Sequence, residues 1–112
     1  MLIYKILTSG QWTELQDRQE TPGAPVDIAD GFVHFSTASQ VRETAAKHFS
    51  GQTGLWLLAF QTDALGGALK WEPSRGGQLF PHLYAPMRLA DVLWSKPLTS
   101  GPDGHVFPEN LE

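Results

Sequence analysis

Asp30-Gly-Phe-Val-His-Phe-Ser-Thr-Ala-Ser-Gln40 passes from a strand pattern into a helix start, and this junction decides the fold class. Phe32, Val33 and Phe35 form a short apolar run with His34 set among them, the pattern of a strand over Gly31 to Phe35. Thr37, with Gln40 three residues on, then fits a capping box, and Ala38, Val41, Ala45 and Phe49 recur at helical spacing up to Gly51. A strand feeding directly into a capped helix makes helix and sheet pack on one another.

Outward from that junction, Leu2 to Leu7 alternates Leu2, Tyr4, Ile6 against Ile3, Lys5, Leu7, which predicts a first strand with a largely buried face. Gly10 to Gln19 carries Trp12 and Leu15 among polar neighbours and suits a short surface helix. Leu55 to Phe60 is apolar on both faces, so it reads as a central strand covered on each side. Asp63 to Gly67 turns the chain, Ala68 to Glu72 is a short strand ended by Pro73, and Gly76-Gly77 loosens the loop before Phe80-Pro-His-Leu-Tyr84. Pro81 has no N–H and is expected at a sheet edge or outside the sheet. Met87 to Trp94 reads as the last clear strand, with Ala90, Val92 and Trp94 on one face and Leu89 and Leu93 on the other. The sum is an α+β domain over residues 1–112, with five or six strands, one good helix and one poor one.

A chain of 112 residues is about one domain, burying roughly 65% of the surface its unfolded form exposes. Twelve acidic residues against eight basic ones give a net charge of −4, and Lys5, Arg18, Arg42, Lys47, Lys70, Arg75, Arg88 and Lys96 are spread along the chain. Without a basic patch, binding to nucleic acid or anionic lipid is not expected. The absence of cysteine rules out disulfides, cysteinyl zinc sites and thiol nucleophiles, and suits a reducing compartment. The run from Leu55 to Phe60 is far short of the ~20 residues of a spanning helix, and Met1 to Lys5 lacks the features of a signal peptide. A cytoplasmic protein is the expectation. Glu20 to Ala24 and the tail from Ser100 to Glu112 read as loose connections.

Two stretches set polar groups in an apolar frame. Period two places His34 on the face of Phe32, at the point where strand gives way to helix, and Ser36 follows on the same side. A helix start offers unpaired N–H groups and a positive dipole end, so a small anionic group could rest there against Ser36 and Thr37. Both hydroxyls are equally explained as caps. In an extended Phe80 to Tyr84, the side chains of Phe80, His82 and Tyr84 share one face, and Glu72 lies at a strand end after Trp71. No His-x-His, Glu-x-x-His or Cys pair supports a metal site, Ser36 lacks the Gly-x-Ser-x-Gly elbow, and Gly76-Gly77 lacks the lysine and hydroxyl of a phosphate loop.

The residues from Asp30 to Gln40, with Thr44-Ala45, His48-Phe49, Leu55 to Leu58, Lys70-Trp71-Glu72 and Phe80 to Tyr84, resemble a mostly bacterial family called domain of unknown function 952. The resemblance runs over nearly the whole chain and implies a fold grouped with the ADP-ribosyltransferases: a small split mixed or antiparallel sheet, a main helix after the second strand and a shorter one after the first. The order of elements is also similar to that of NAD-dependent RNA 2′-phosphotransferases, whose His-Leu-Ser corresponds to His34-Phe35-Ser36. In that group early-strand residues hold the ribose and nicotinamide of NAD, an aromatic ring packs on the nicotinamide, and many members use a late-strand glutamate on the ribose 2′-hydroxyl. The resemblance thus implies NAD as substrate, with His34, Glu72 and His82 catalytic and Ser36, Thr37 and Tyr84 binding the ligand. Tyr4 and Lys5 stand where transferases commonly have arginine or histidine, Glu72 precedes the expected glutamate position, and the arginine set for a 2′-phosphate is missing. Two classes therefore stay open: an enzyme binding or cleaving NAD or a related ribosyl nucleotide, and a noncatalytic module that binds a small ligand or a protein. The first requires the imidazoles of His34 and His82 to reach one cavity, beside the Tyr84 phenol.

Overall fold

The two-faced apolar pattern of Leu55 to Phe60 lies at the centre of the molecule. The computed structural model describes residues 1–102, 104–109 and 111, and its elements run β1 (Leu2–Thr8), α1 (Ser9–Arg18), β2 (Glu20–Thr21), α2 (Pro25–Asp30), β3 (Val33–His34), α3 (Val41–His48), β4 (Leu55–Gln61), α4 (Thr62–Leu65), β5 (Leu69–Pro73), β6 (Leu79–Leu83), β7 (Met87–Arg88), β8 (Val92–Gly101) and β9 (Gly104–Val106). They form an α+β fold in which every strand pair is antiparallel among the described residues. One sheet has the order β1-β4-β8-β9, a second β3-β6-β5, and β2 pairs with β7. The first two sheets are stitched together where Tyr4 and Ser36 exchange backbone hydrogen bonds of 2.8 and 3.0 Å.

Alternation along β1 and β4 divides the core in two. Ile3, Leu7, Leu58 and Phe60 join Leu15 of α1 with Val33, Phe35, Leu83 and Met87. On the other face Leu2, Tyr4, Ile6, Leu55, Leu57 and Ala59 pack against Val41 and Ala45 of α3 and Leu98 of β8. Each cluster removes large aliphatic and aromatic side chains from water, at about 1.5–3 kcal/mol per fully buried side chain, so β4 holds the fold together from both sides.

Several expectations are corrected. The helix after β1 begins earlier than predicted and is capped by Thr8, whose hydroxyl accepts from the Gln11 N–H while Gln11 Oε1 accepts from the Thr8 N–H. It spans ten residues, against eight for α3, so the expected main helix is the shorter of the two. Half of the predicted box at Thr37 forms: Gln40 Oε1 accepts from the Thr37 N–H at 3.1 Å, whereas the Thr37 hydroxyl turns to Ser39, and residues 38–40 form a turn before α3. Pro81 lies in the middle strand β6, neither at an edge nor outside. Its carbonyl accepts from the Phe35 N–H, and in an antiparallel ladder a residue turns its N–H and C=O to the same neighbour, so the missing donor faces the point where β3 ends.

Met87 to Trp94 is interrupted by a 3-10 turn over Leu89–Asp91, because β7 pairs with β2 whereas β8 pairs with β4 and the chain must change partners. A register shift at Ala59/Phe60 then leaves Leu93 outside the pairing and exposed. The two stretches read as loose carry structure: residues 20–21 form β2, and β8 with β9 forms a hairpin in the tail, whose Asp103, Asn110 and Glu112 lie outside the described residues. No helix among the described residues is long and apolar enough to cross a membrane.

Candidate functional site

His34 and His82 are cross-strand partners in the β3–β6 pair. Since Phe35 and Pro81 meet at a hydrogen-bonding position, His34 and His82 occupy the adjacent non-hydrogen-bonded position, where side chains approach most closely. Their ring centroids are 5.5 Å apart at 67°, edge to face. Phe32 packs on both rings, with centroids 4.6 Å from His34 and 4.1 Å from His82, and reaches Tyr84 at 5.3 Å.

At that position the peptide groups of His34 point away from β6, and a buried ion pair receives them. The His34 N–H donates to Asp27 Oδ1 at 3.0 Å, and its carbonyl accepts from Lys5 Nζ at 3.0 Å. Lys5 in turn donates to both Asp27 oxygens at 3.2 and 2.9 Å, and His34 Nδ1 lies 2.6 Å from Asp27 Oδ1. Asp27 Oδ2 also accepts from the Ala24 N–H at 2.7 Å, at the start of α2. Burial acts to raise the Asp27 carboxyl, but the His34 side chain, the charge and hydrogen bond of Lys5 and the His34 N–H together outweigh it and hold the group at about 2. Burial pushes the Lys5 ammonium below its ordinary value, opposed by Asp27. The second nitrogen of His34, Nε2, lies 3.0 Å from Asp30 Oδ2 at the surface, so this ring touches a carboxylate on each side.

His82 has one such partner. Its Nδ1 lies 2.8 Å from Glu72 Oε1, which also accepts the Tyr84 hydroxyl at 2.6 Å. The Tyr84 bond and then the His82 bond draw the Glu72 carboxyl below its usual range, and Glu72 pushes the Tyr84 phenol up. His82 is 4% exposed. Its Nε2 has no hydrogen-bond partner, yet no buried side-chain nitrogen or oxygen among the described residues goes unsatisfied, so Nε2 keeps a small contact with solvent.

Both rings line a cleft of about 800 Å³ bounded by β1, α2, α3 and β6. Ile6, Pro25, Val26, Val41, Phe49 and Phe80 make its walls largely apolar, while Ser36 and Thr44, whose hydroxyls are 2.8 Å apart, put polar groups on it. Lys47 and His48 line it at the end of α3. Of the residues singled out by sequence, the fold thus brings His34, Ser36 and His82 to the cleft. Glu72 and Tyr84 do not line it and sit behind His82; Thr37 does not line it either and serves the turn before α3. Among the described residues no three His, Asp or Glu side chains converge as ligands for a metal ion.

The model of the family described as Protein of unknown function (DUF952) matches residues 6–95, which include every group of this cluster except Lys5. The chain belongs to the DUF952 family. Among solved structures it is similar to protein CC0527 from Caulobacter crescentus: the crystal structure has 47% identity and a TM-score of 0.90, covering 94% of this chain and 92% of that one. The solution NMR structure of CC0527, also at 47% identity, has a TM-score of 0.83 and covers 93% of this chain and 90% of that one. A search of the curated proteins gave no match.

Sequence reasoning missed Asp27, Asp30 and Lys5 in this DUF952 chain. The signal for α2 was present: Pro25 in its first turn and Gly31 just past its end, in left-handed backbone with φ 85°. Gly23 adds a second mark, since a Cβ there would collide with the Asp27 carboxylate. Lys5 read as an ordinary polar residue in an alternating strand, because its partner lies 22 residues away.

Proposed function

We propose that the cleft binds NAD or a related ribosyl nucleotide and that the histidine pair promotes cleavage of the bond between ribose and base. The observation that carries this reading is the cross-strand pairing of His34 and His82, each with Nδ1 on a carboxylate and both on the wall of one cleft. A volume of about 800 Å³ falls in the range of small-molecule and cofactor sites, and mostly apolar walls with a few convergent polar groups are their usual make-up.

Cleaving a ribosyl bond builds positive charge on the ribose, which nearby carboxylates and a fixed sugar stabilise. In this reading His34, Ser36 and His82 meet the ligand, Asp27 and Glu72 orient the two rings, and Tyr84 holds Glu72. Thr37 shapes the turn that presents Ser36. The split antiparallel arrangement of β5-β6-β3 and β1-β4-β8-β9 supports the proposed grouping with the ADP-ribosyltransferase-like folds. The lack of cysteine suits action in the cytoplasm.

The test is incubation with NAD, assayed for free nicotinamide, together with a thermal-shift series over NAD, ADP-ribose and nucleoside monophosphates. A ligand at ~100 times its dissociation constant adds about 2.7 kcal/mol of stability, and His82→Ala is expected to abolish turnover. No shift with any of these compounds, and no nicotinamide above the His82→Ala background, would leave a ligand of another class or a protein partner as the occupant.

A further inference from the structure

The two imidazoles differ in what surrounds them. His34 has Asp27 Oδ1 at 2.6 Å from Nδ1 and Asp30 Oδ2 at 3.0 Å from Nε2. Carboxylates accept and do not donate, so Nδ1 of His34 gives its N–H to Asp27, and the Asp30 carboxylate, at ion-pair distance from Nε2, matches a proton carried there. His82 donates Nδ1–H to Glu72 and leaves Nε2 without a partner, as an acceptor on a ring that lines the cleft. The pair is asymmetric, and the rings are 5.5 Å apart.

We infer that His82 is the general base and His34 the general acid of one hydrolytic step, so the substrate is an N-ribosyl compound whose base must be protonated to leave: a nucleotide of a neutral purine or pyrimidine. The inference rests on the ribosyl reading above and narrows it. Water gives a proton to His82 Nε2 as its oxygen bonds to C1′ of the ribose. The C1′–N bond breaks, its electron pair stays on the base nitrogen, and that nitrogen takes the proton of His34 Nε2, whose place beside Asp30 the ligand assumes. One proton enters the pair and one leaves, and exchange with solvent restores the resting rings. Asp27 and Glu72 are positioning residues: each fixes which nitrogen of its histidine faces the cleft. NAD differs in the decisive respect, because its nicotinamide leaves as a neutral pyridine and takes no proton.

The experiment follows release of free base from the 5′-monophosphates of adenosine, guanosine, cytidine and uridine, with NAD as comparator, in the whole chain and in His82→Gln, His34→Gln and Asp30→Asn. Free base is expected from at least one monophosphate. His82→Gln should lower kcat on every substrate by about 10²–10⁴-fold. His34→Gln should lower kcat on the monophosphate by the same factor, and at least about tenfold more than it lowers any NAD cleavage. Asp30 is exposed and outside the buried cluster, so Asp30→Asn folds whatever becomes of His34→Gln, and it should cost about tenfold on the monophosphate only.

A purely structural role for His34 would lower both activities equally and overturn the inference. Cleavage of NAD alone, or binding of nucleotides with no base release, overturns it too but leaves the ribosyl-binding reading intact. Neither turnover nor thermal shift with any of these compounds removes both.

Discussion

His34 donates and accepts at Asp27 and Lys5, not at β6: its N–H lies 3.0 Å from Asp27 Oδ1, a residue seven positions earlier in the chain. The same carboxylate holds the ring of His34, the Lys5 ammonium and the start of α2. One buried anion therefore joins β1, α2 and β3, and the placement of the His34 imidazole depends on the stability of that cluster.

Asp27→Ala leaves the Lys5 ammonium buried without its anion. Breaking a buried pair in this way costs about 3–5 kcal/mol, which urea unfolding should register as a large fall in midpoint. Lys5→Met should cost less, because Asp27 keeps its bonds to His34 and Ala24. Equal losses would show that the His34 and Ala24 bonds contribute little.

Acid should destabilise the protein through the same residue. The Asp27 carboxyl is held at about 2 in the folded protein against an ordinary 3.8. A depressed folded value means that its stabilisation is fully present above the unfolded value and is lost as pH falls from about 5 through about 2, amounting to roughly 2 kcal/mol. Glu72 contributes in the same direction, less strongly because it is exposed to solvent. Urea midpoints of Asp27→Asn should be lower at neutral pH and should fall less steeply between about pH 5 and pH 2 than those of the unaltered chain.

The Glu72–Tyr84 bond is directly visible by spectroscopy. Glu72 raises the Tyr84 phenol above its ordinary 10.0, so Glu72→Gln should bring the ultraviolet titration of the exposed tyrosine back down. The other tyrosine, Tyr4, is 1% exposed and packs beside Trp94, which separates the two signals. An unchanged midpoint would mean that the bond is not populated in solution.

Phe32 covers the histidine pair, and Phe32→Leu should shift the ring-proton resonances of His34 and His82 while leaving those of His48 and His105 in place. Half-buried, it should cost about 1–3 kcal/mol, less than a core phenylalanine truncated to alanine. A shift of all four imidazoles would indicate a general loosening and not a local contact.

Much of the frame was readable along the chain. Leu55 to Phe60 is apolar at both parities, and it became a strand with a core cluster on each face. Leu2 to Leu7 paired with it residue for residue, from Ile3 opposite Phe60 to Leu7 opposite Trp56. Less was readable where the chain changes partners. Met87 to Trp94 looks like one strand because alternation does not record that β7 belongs beside β2 and β8 beside β4. Pro81 looked unfit for a central strand because a sequence does not say which neighbour a missing N–H would face.

For the site, sequence alone marked His34, Ser36, Thr37, Glu72, His82 and Tyr84, since polar residues in or beside apolar runs stand out locally, and of these His34, Ser36 and His82 line the cleft. It could not mark what surrounds them. Asp27 meets Lys5 across 22 residues, Glu72 meets Tyr84 across 12, and the two histidines are neighbours only because β3 and β6 pair in one register out of several. Periodicity carries information over one turn or one strand, so it determined the elements and their buried faces. Hydrogen-bonded partners distant in sequence are selected by packing, and packing alone decided that both nitrogens of His34 lie against carboxylates while His82 has one nitrogen held by Glu72 and the other without a partner.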